Sequence, residues 1–465
     1  MSSPSSPAPG GPASPSFTIT SPADILSYIP HALGFMPAES LVVLTTTGTR
    51  LGATLRVDLP AQGADPLAFA EGVVSFLRGD PEADGTLVVV YTREEWHRLR
   101  PPPHEDLLDD LEMALKLEGF PVRAGWLVSG SGWRDYFCRD ERCCPWPGTP
   151  LDAVVHSALN AELIFGGSAF DASAPEAVLR AAPAVAPRDG WSANPGAVED
   201  AQAHFAARCA GRWISPGQFT ATSALWDVVL SRPGTFHVQA EPEVAGFLLA
   251  SIESRTVRDF LLVSACLGSQ EALEGIRAED ILRNCPEHAG TASGSAPPLV
   301  VPFIVPSMVD ARYGGASSTT DTTTDSATDS MPDTTPGARP AAAHPRPVAP
   351  AGLLFTEVLA GLHRGPVDWA RVELMTGILL RLVSVAGSSG EARAAALTML
   401  GWFEYARGRG SRAAVYFDAA EEALPGYRLA RLLTELLNRG GLPEWARQRS
   451  TAWRPTATSR HPEAA

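Results

Sequence analysis

Three of the six cysteines, Cys138, Cys143 and Cys144, fall within one short stretch, WRDYFCRDERCCPWPGTP at 133–150. Thiolates are soft ligands that suit zinc, and three from one loop need only a fourth group to close a tetrahedral site. His156, on the helix expected next, and His104 are the candidates for that fourth position. The C-x4-C-C spacing is not that of a standard zinc knuckle, and side chains of adjacent cysteines tend to diverge. A nucleophilic or redox role would need an activating histidine or a helix N-terminus; Asp152 and a helix starting near Leu151 are close in sequence. The third reading is that these cysteines pack as small hydrophobes under a Pro/Gly-rich loop. Packing leads, metal follows and redox chemistry comes last. Cys209, Cys266 and Cys285 read as core cysteines on helices.

A second candidate group lies at strand ends. Arg56 and Asp58 stand at the end of an expected strand just before Pro60. In open α/β sheets, ligands sit beyond the carboxyl ends of strands. A mainly parallel sheet would bring Asp58, Thr92, Ser129, Arg134 and Asp135 to one edge. The plain alternative is an Arg56–Asp58 ion pair that fixes the strand end. Arg258-Asp259, in a helix, reads as a structural pair.

Composition excludes several classes. The chain has 465 residues and a net charge of −15. Residues 1–150 carry 19 acids against 11 bases, and residues 151–350 carry 22 against 12. Residues 351–465 carry 11 against 14. No stretch has the concentrated basic field of a strong nucleic-acid binder, so no nucleic acid is expected. The only lysine is Lys116, in the amphipathic stretch LEMALKLEG. That context fits neither a P-loop nor a kinase strand, and makes Schiff-base chemistry a poor fit. There is no GxSxG, HExxH, EF-hand loop or GxGxxG following a strand. No apolar run approaches about 18 residues, so no membrane span is expected. Residues 1–16 lack the positive charge and apolar segment of a secretory signal. A cytoplasmic location follows, with reduced cysteines.

The elements that must position these residues begin in the 20–60 stretch. Ser21-Pro22 with Asp24 reads as a capped helix start. Ile25, Leu26, Ile29 and Leu33 supply its apolar face, and Pro30 should kink or end it. LVVL at 41–44 suits a strand buried on both faces. Leu51, Ala53, Leu55, Val57 and Leu59 alternate with smaller or polar residues, the period of a strand with one wetter face. The two strands form an expected hairpin. A helix over 65–79, a buried strand over 86–92, a helix over 104–119, a strand over 122–129 and a short strand over 133–137 follow. This predicts an α/β domain over 17–170 with a mixed, mostly parallel sheet and an N-terminal hairpin.

From 151 onward the periodicity is helical: 151–165, 196–213, 216–230, 242–251, 257–267 and 270–282. Trp213, Phe219, Trp226, Phe247, Phe260 and Leu261 supply the core. The organisation expected is a disordered arm (1–16), the α/β domain (17–170), and a helical region (171–289). A disordered acidic Ser/Thr/Pro/Ala-rich linker (290–350), a helical hairpin region (351–440) and a flexible tail (441–465) follow. Within the linker, LVVPFIVP at 299–306 is a candidate docked segment. Leu400, Gly401, Ala413, Phe417, Ala420 and Pro425 sit at the offsets of one tetratricopeptide-like helix hairpin, with Glu404 where that pattern places Tyr and no second copy 34 residues away.

SPADILSYIPHALGFMPAESLVVL, LRVDLP, LVVVYT, YFCRDERCCPWPGTPL and ALTMLGWFEYARGRGSRAAVYFDAAEEALPGYRLARLL together resemble the actinobacterial domain-of-unknown-function 4192 family. That resemblance implies a high-GC genome, which fits the Arg-rich, Lys-poor composition. It brings no activity, substrate or catalytic residue. Residues 56–60 and 136–145 resemble its recurrent blocks, which directs the candidate binding set to Arg56, Asp58, Ser129, Arg134 and Tyr136. Two functions stay open. The first is a binding or regulatory/scaffold module with a protein partner docking on the C-terminal helices. The second is a metal-binding protein or enzyme that uses Cys138, Cys143, Cys144 and His156, with zinc as the cofactor, beside the strand ends near Asp58. Substrate, pathway and oligomeric state have no signal in the sequence.

Overall fold

The structure is a computed structural model that describes residues 17–61, 63–180, 196–233, 236–238, 240–279, 281–282, 298–302, 351–387, 389–439, 441–448 and 450–454. The expectations for 1–16, for Cys285 and for most of the 290–350 tract fall outside these residues. The chain divides into two compact units. One comprises residues 1–186, 364–366 and 397–465; the other comprises 187–363 and 367–396.

The first unit is built on a five-stranded mixed sheet. Helix α1 (Pro22–Leu33) precedes β1 (Ser40–Thr47) and β2 (Arg50–Asp58). Helix α2 (Pro66–Leu77), β3 (Gly85–Tyr91), helix α3 (Glu105–Leu117), β4 (Val122–Ser129) and β5 (Gly132–Asp135) follow. The strand order is β2-β1-β3-β4-β5. The starts of α1 and α2 are legible in the chain. Ser21 and Asp24 form a capping box with Pro22 in the first turn, and Asp65 caps α2. Pro30 does not end α1: the helix runs through it and stops at Gly34, whose left-handed φ of 80° suits glycine.

Alternation along β1 and β3 feeds two cores. Leu41, Val43, Val88 and Val90 face α2 and α3, joined by Leu107, Leu111 and Leu127. Val42, Leu44, Val89 and Trp126 face α1 through Leu26 and Ile29. The sheet is therefore sandwiched between helices, which is why both central strands read as unbroken apolar runs.

The mostly parallel expectation is corrected. Only β3 and β4 pair in parallel; β2–β1, β1–β3 and β4–β5 are antiparallel. Even so, β2, β3 and β4 point the same way, because β1 reverses direction between two of them. The strict period-two reading of β2 also needs amendment. An extra residue lies on β2 between the pairs Leu44↔Thr54 and Thr46↔Leu51. That bulge turns Leu51 to the α1 face while Leu55 and Val57 stay on the α2–α3 face.

After β5 the chain turns into short helices α4 (Asp152–Val155) and α5 (Ala158–Phe165), split at His156-Ser157, and then α6 (Ala174–Arg180). The sequence reading ran α4 and α5 together and missed α6. Polar contacts seat α5 on α1: Leu159 N donates to Asp24 Oδ1 at 3.4 Å, and the Ser157 and Ser27 hydroxyls are 3.0 Å apart. The C-terminal residues of this unit are helical, with Gly410–Ala423 and Arg428–Asn438 followed by a 3-10 turn at Glu444–Arg447. The ring of Phe417 packs where a Cβ on Gly401 would stand. Within the tail expected to be flexible from 441, Trp445 is fully buried and its Nε1 donates to Ala406 O at 2.8 Å.

The second unit is helical. It contains Ala197–Cys209, Pro216–Ser231, Pro242–Glu253, Arg255–Leu267, Ser269–Ala278, Ala351–Leu359 and Trp369–Val385. All six expected core residues, from Trp213 to Leu261, are buried. The 299–306 fragment is described only as far as 302. Its Val300 is buried and held on both sides of its peptide by the Gln218 amide, which donates to Val300 O at 2.7 Å and accepts from Val300 N at 2.9 Å.

Candidate functional site

The carboxyl ends of β2, β3 and β4 do share one edge of the sheet, since Ser40 pairs with both Asp58 and Tyr91, and Tyr91 pairs with Val128. They do not converge on one site. Three strand spacings of about 4.8 Å separate β2 from β4, so Asp58 stands about 14 Å from Ser129 along the edge. Arg56 and Asp58 form the ion pair at 2.5 Å. Arg56 also donates to Ser411 Oγ at 3.0 Å and to Ala38 O at 3.4 Å. These contacts give Arg56 a tethering role and set Arg56 and Asp58 apart from the β4–β5 side. Arg258 and Asp259 are likewise paired, at 2.9 Å.

Ser129, Arg134 and Tyr136 do come together, on the β4–β5 side. The β4–β5 turn aligns Ser129 with Gly132 and Leu127 with Arg134. Gly132 and Gly148 let the 146–150 segment return alongside β5: a Cβ on Gly132 would lie 2.5 Å from Thr149 O, and one on Gly148 would lie 2.7 Å from Trp133 O. Trp133 and Thr149 exchange both backbone hydrogen bonds at 2.9 Å. The returning strand places Trp146 against Arg134 and closes a cleft of about 170 Å³. Glu95, Trp96 and Arg98 wall it from the segment after β3, and Ser129, Ser131, Trp133 and Arg134 wall it from the sheet. Tyr136 stands behind Trp96, its ring centroid 6.1 Å away, and its hydroxyl donates to Pro103 O at 2.7 Å. Burial, with Glu105 and Asp109 nearby, pushes that phenol well above its usual range. Trp96 and Trp146 carried no signal in the sequence beyond their type; only the return of 146–150 along β5 brings them together around Arg134.

The cysteine loop leaves β5 on the same side. Asp135 Oδ1 accepts from Phe137 N at 3.0 Å and Cys138 N at 2.8 Å, which turns the chain. Asp140 makes the next turn: its side chain accepts from Arg142 N at 2.9 Å and its carbonyl from Cys143 N at 3.1 Å and Cys144 N at 2.8 Å. The Sγ atoms of Cys138, Cys143 and Cys144 all lie within 4.8 Å of one another. Cys143 and Cys144 sulfurs are 4.0 Å apart, so these adjacent side chains converge, against the expectation of divergence. Cys143 is exposed and the other two are half-buried, which corrects the reading of a packed apolar trio. Cys209 and Cys266 are buried as expected. Burial, the hydrogen bonds and the charges of Cys138 and Cys143 push the Cys144 thiol up to about 12. Among the described residues no further His, Cys, Asp or Glu joins the group. His156, exposed at the end of α4, and His104 do not lie with the three sulfurs.

Fold and site together define a mixed α/β domain with a three-thiol cluster beside an aromatic-walled cleft, continued by a helical region. The chain belongs to the family described as Domain of unknown function (DUF4192), whose model matches residues 22–301 and 375–444, well over half of the sequence. No curated protein and no solved structure matches it.

Proposed function

We propose that this protein is a metal-binding module that holds one zinc ion on Cys138, Cys143 and Cys144. The observation that carries the reading is the convergence of three sulfurs from one loop to within 4.8 Å. Zinc–thiolate bonds of about 2.3 Å in a tetrahedron put sulfurs about 3.8 Å apart, close to the 4.0 Å between Cys143 and Cys144. The two Asp-capped turns preset that arrangement, so binding costs little chain ordering. The raised pKa of Cys144 counts against it as a redox or nucleophilic cysteine, which needs a lowered one. With three protein thiolates, the fourth position goes to water or to an exchangeable ligand, the arrangement of open zinc sites.

Protein purified without added metal and analysed for elements is expected to carry about one zinc per chain. Cys143→Ser should lose most of it and lower Tm, because a structural zinc contributes folding free energy. Zinc near zero, with Cys143→Ser leaving Tm unchanged, sinks the reading.

A further inference from the structure

Arg134 is 7% exposed. Its guanidinium lies between two indoles, 5.3 Å from the Trp96 centroid and 4.8 Å from that of Trp146. Nη1 donates to Pro145 O at 3.2 Å. Nε is buried and has no partner among the described residues, and no carboxylate there pairs with the cation. A buried cation without a counter-charge is costly, and natural cores resolve it with an anion. The neighbouring carboxylates are already engaged. Glu95 Oε2 accepts from Ser131 Oγ at 2.6 Å, and Glu141 takes both ends of Arg98 at 2.7 and 2.6 Å. Arg134 lines the cleft, whereas the indole of Trp133, the adjoining residue on β5, packs on the α1 face of the sheet.

We infer that this cleft is an oxyanion site, in which the carboxylate or phosphoryl group of a small metabolite docks on Arg134. Aromatic stacking fixes the plane of the guanidinium, and Pro145 O fixes its rotation. Nε and Nη2 are then left as a fork that matches two oxygens of one anion. Two arginines, Arg98 and Arg134, line the cleft against one carboxylate, Glu95, so a cationic ligand is disfavoured. The inference stands on Arg134 and its surroundings and does not depend on metal at the cysteine cluster.

The test titrates the full chain with sodium phosphate and, separately, with sodium acetate, against sodium chloride at matched ionic strength. Tryptophan fluorescence and Tm are read together. A saturable change with at least one anion is expected, because two indoles flank Arg134; phosphate alone marks a phosphoryl ligand and acetate alone a carboxylate. Arg134→Gln should abolish saturation. Arg134→Lys, which keeps the charge and removes the fork, should weaken binding about threefold to tenfold, and serves if Arg134→Gln fails to fold. No saturable response to either anion in the unaltered protein overturns the inference. So does an equal response in Arg134→Gln, or an unchanged affinity in Arg134→Lys when Arg134→Gln is unfolded.

Discussion

Asp24 is only 2% exposed, yet its carboxyl keeps its charge. Burial pushes its pKa up, but hydrogen bonds from Thr20 N and Oγ1, Ser21 N and Leu159 N outweigh that and hold it below the usual carboxylate range. A lowered pKa in the folded state means stabilisation that is present above the unfolded pKa of about 4 and lost as pH falls through the folded value. Asp24→Asn should therefore cost about 1 kcal/mol near neutral pH, and the gap should close in acid. Urea unfolding of both proteins at about pH 7 and at about pH 3 checks this; an equal gap at both would mean the charge is not what matters. Asp24 was legible as a cap, since capping is a local pattern of residue types. The role of Arg134 was legible only as a position at a strand end. What isolates it, two indoles from distant segments and a carbonyl contributed by the cysteine loop, is set by long-range return of the chain. The convergence of Cys143 and Cys144 escaped the sequence for a related reason: the turn at Asp140, and not the spacing of the cysteines, aims their side chains.

Elements fared by how much of their definition is periodic. β1 and β3 declare themselves because both faces are apolar, and the helices of the second unit because their aromatic residues recur on one side. Strand direction has no periodic signature, so the count of parallel pairs was overestimated, and the β2 bulge shifts a face that alternation alone assigns wrongly. Helix spacing carries its own constraint. Pro242–Glu253 lies so close to Ala197–Cys209 that a Cβ on Gly246 would stand 2.5 Å from Ala201 Cβ and 2.6 Å from Gln202 N. Gly246→Ala should cost about 1–3 kcal/mol, read as a lowered urea midpoint, although alanine is the better helix former. An unchanged midpoint would show that the two helices separate freely.

At the scale of the whole molecule, residues 397–465 rejoin the sheet-bearing unit across several hundred positions of sequence. Arg56 reaches Ser411, and Arg412 reaches Ala177 O at 3.5 Å while sharing the buried Glu404 carboxylate with Arg407. No composition shift announces such a return. Single polar contacts accompany the packing of Gly410–Ala423 on α6. Glu404, the residue that departs from the repeat pattern, is the one that gathers these arginines.

The hydrogen bond from Arg134 to Pro145 O has a thermodynamic consequence. Pro145 follows Cys144 directly, so one peptide segment serves both the thiol cluster and the cleft. Zinc that pins Cys144 holds Pro145 O in place and keeps the guanidinium preset, so the oxyanion should bind more tightly to the zinc-loaded protein. Linkage then requires the anion to tighten zinc by the same factor, commonly 5- to 150-fold, or about 1–3 kcal/mol. Calorimetric titration of each solute with and without the other measures both factors, and two factors of one would mean that the segment carries no coupling. A protein wired in this way acts as a coincidence detector, populating its fully ordered loop when both solutes are abundant together.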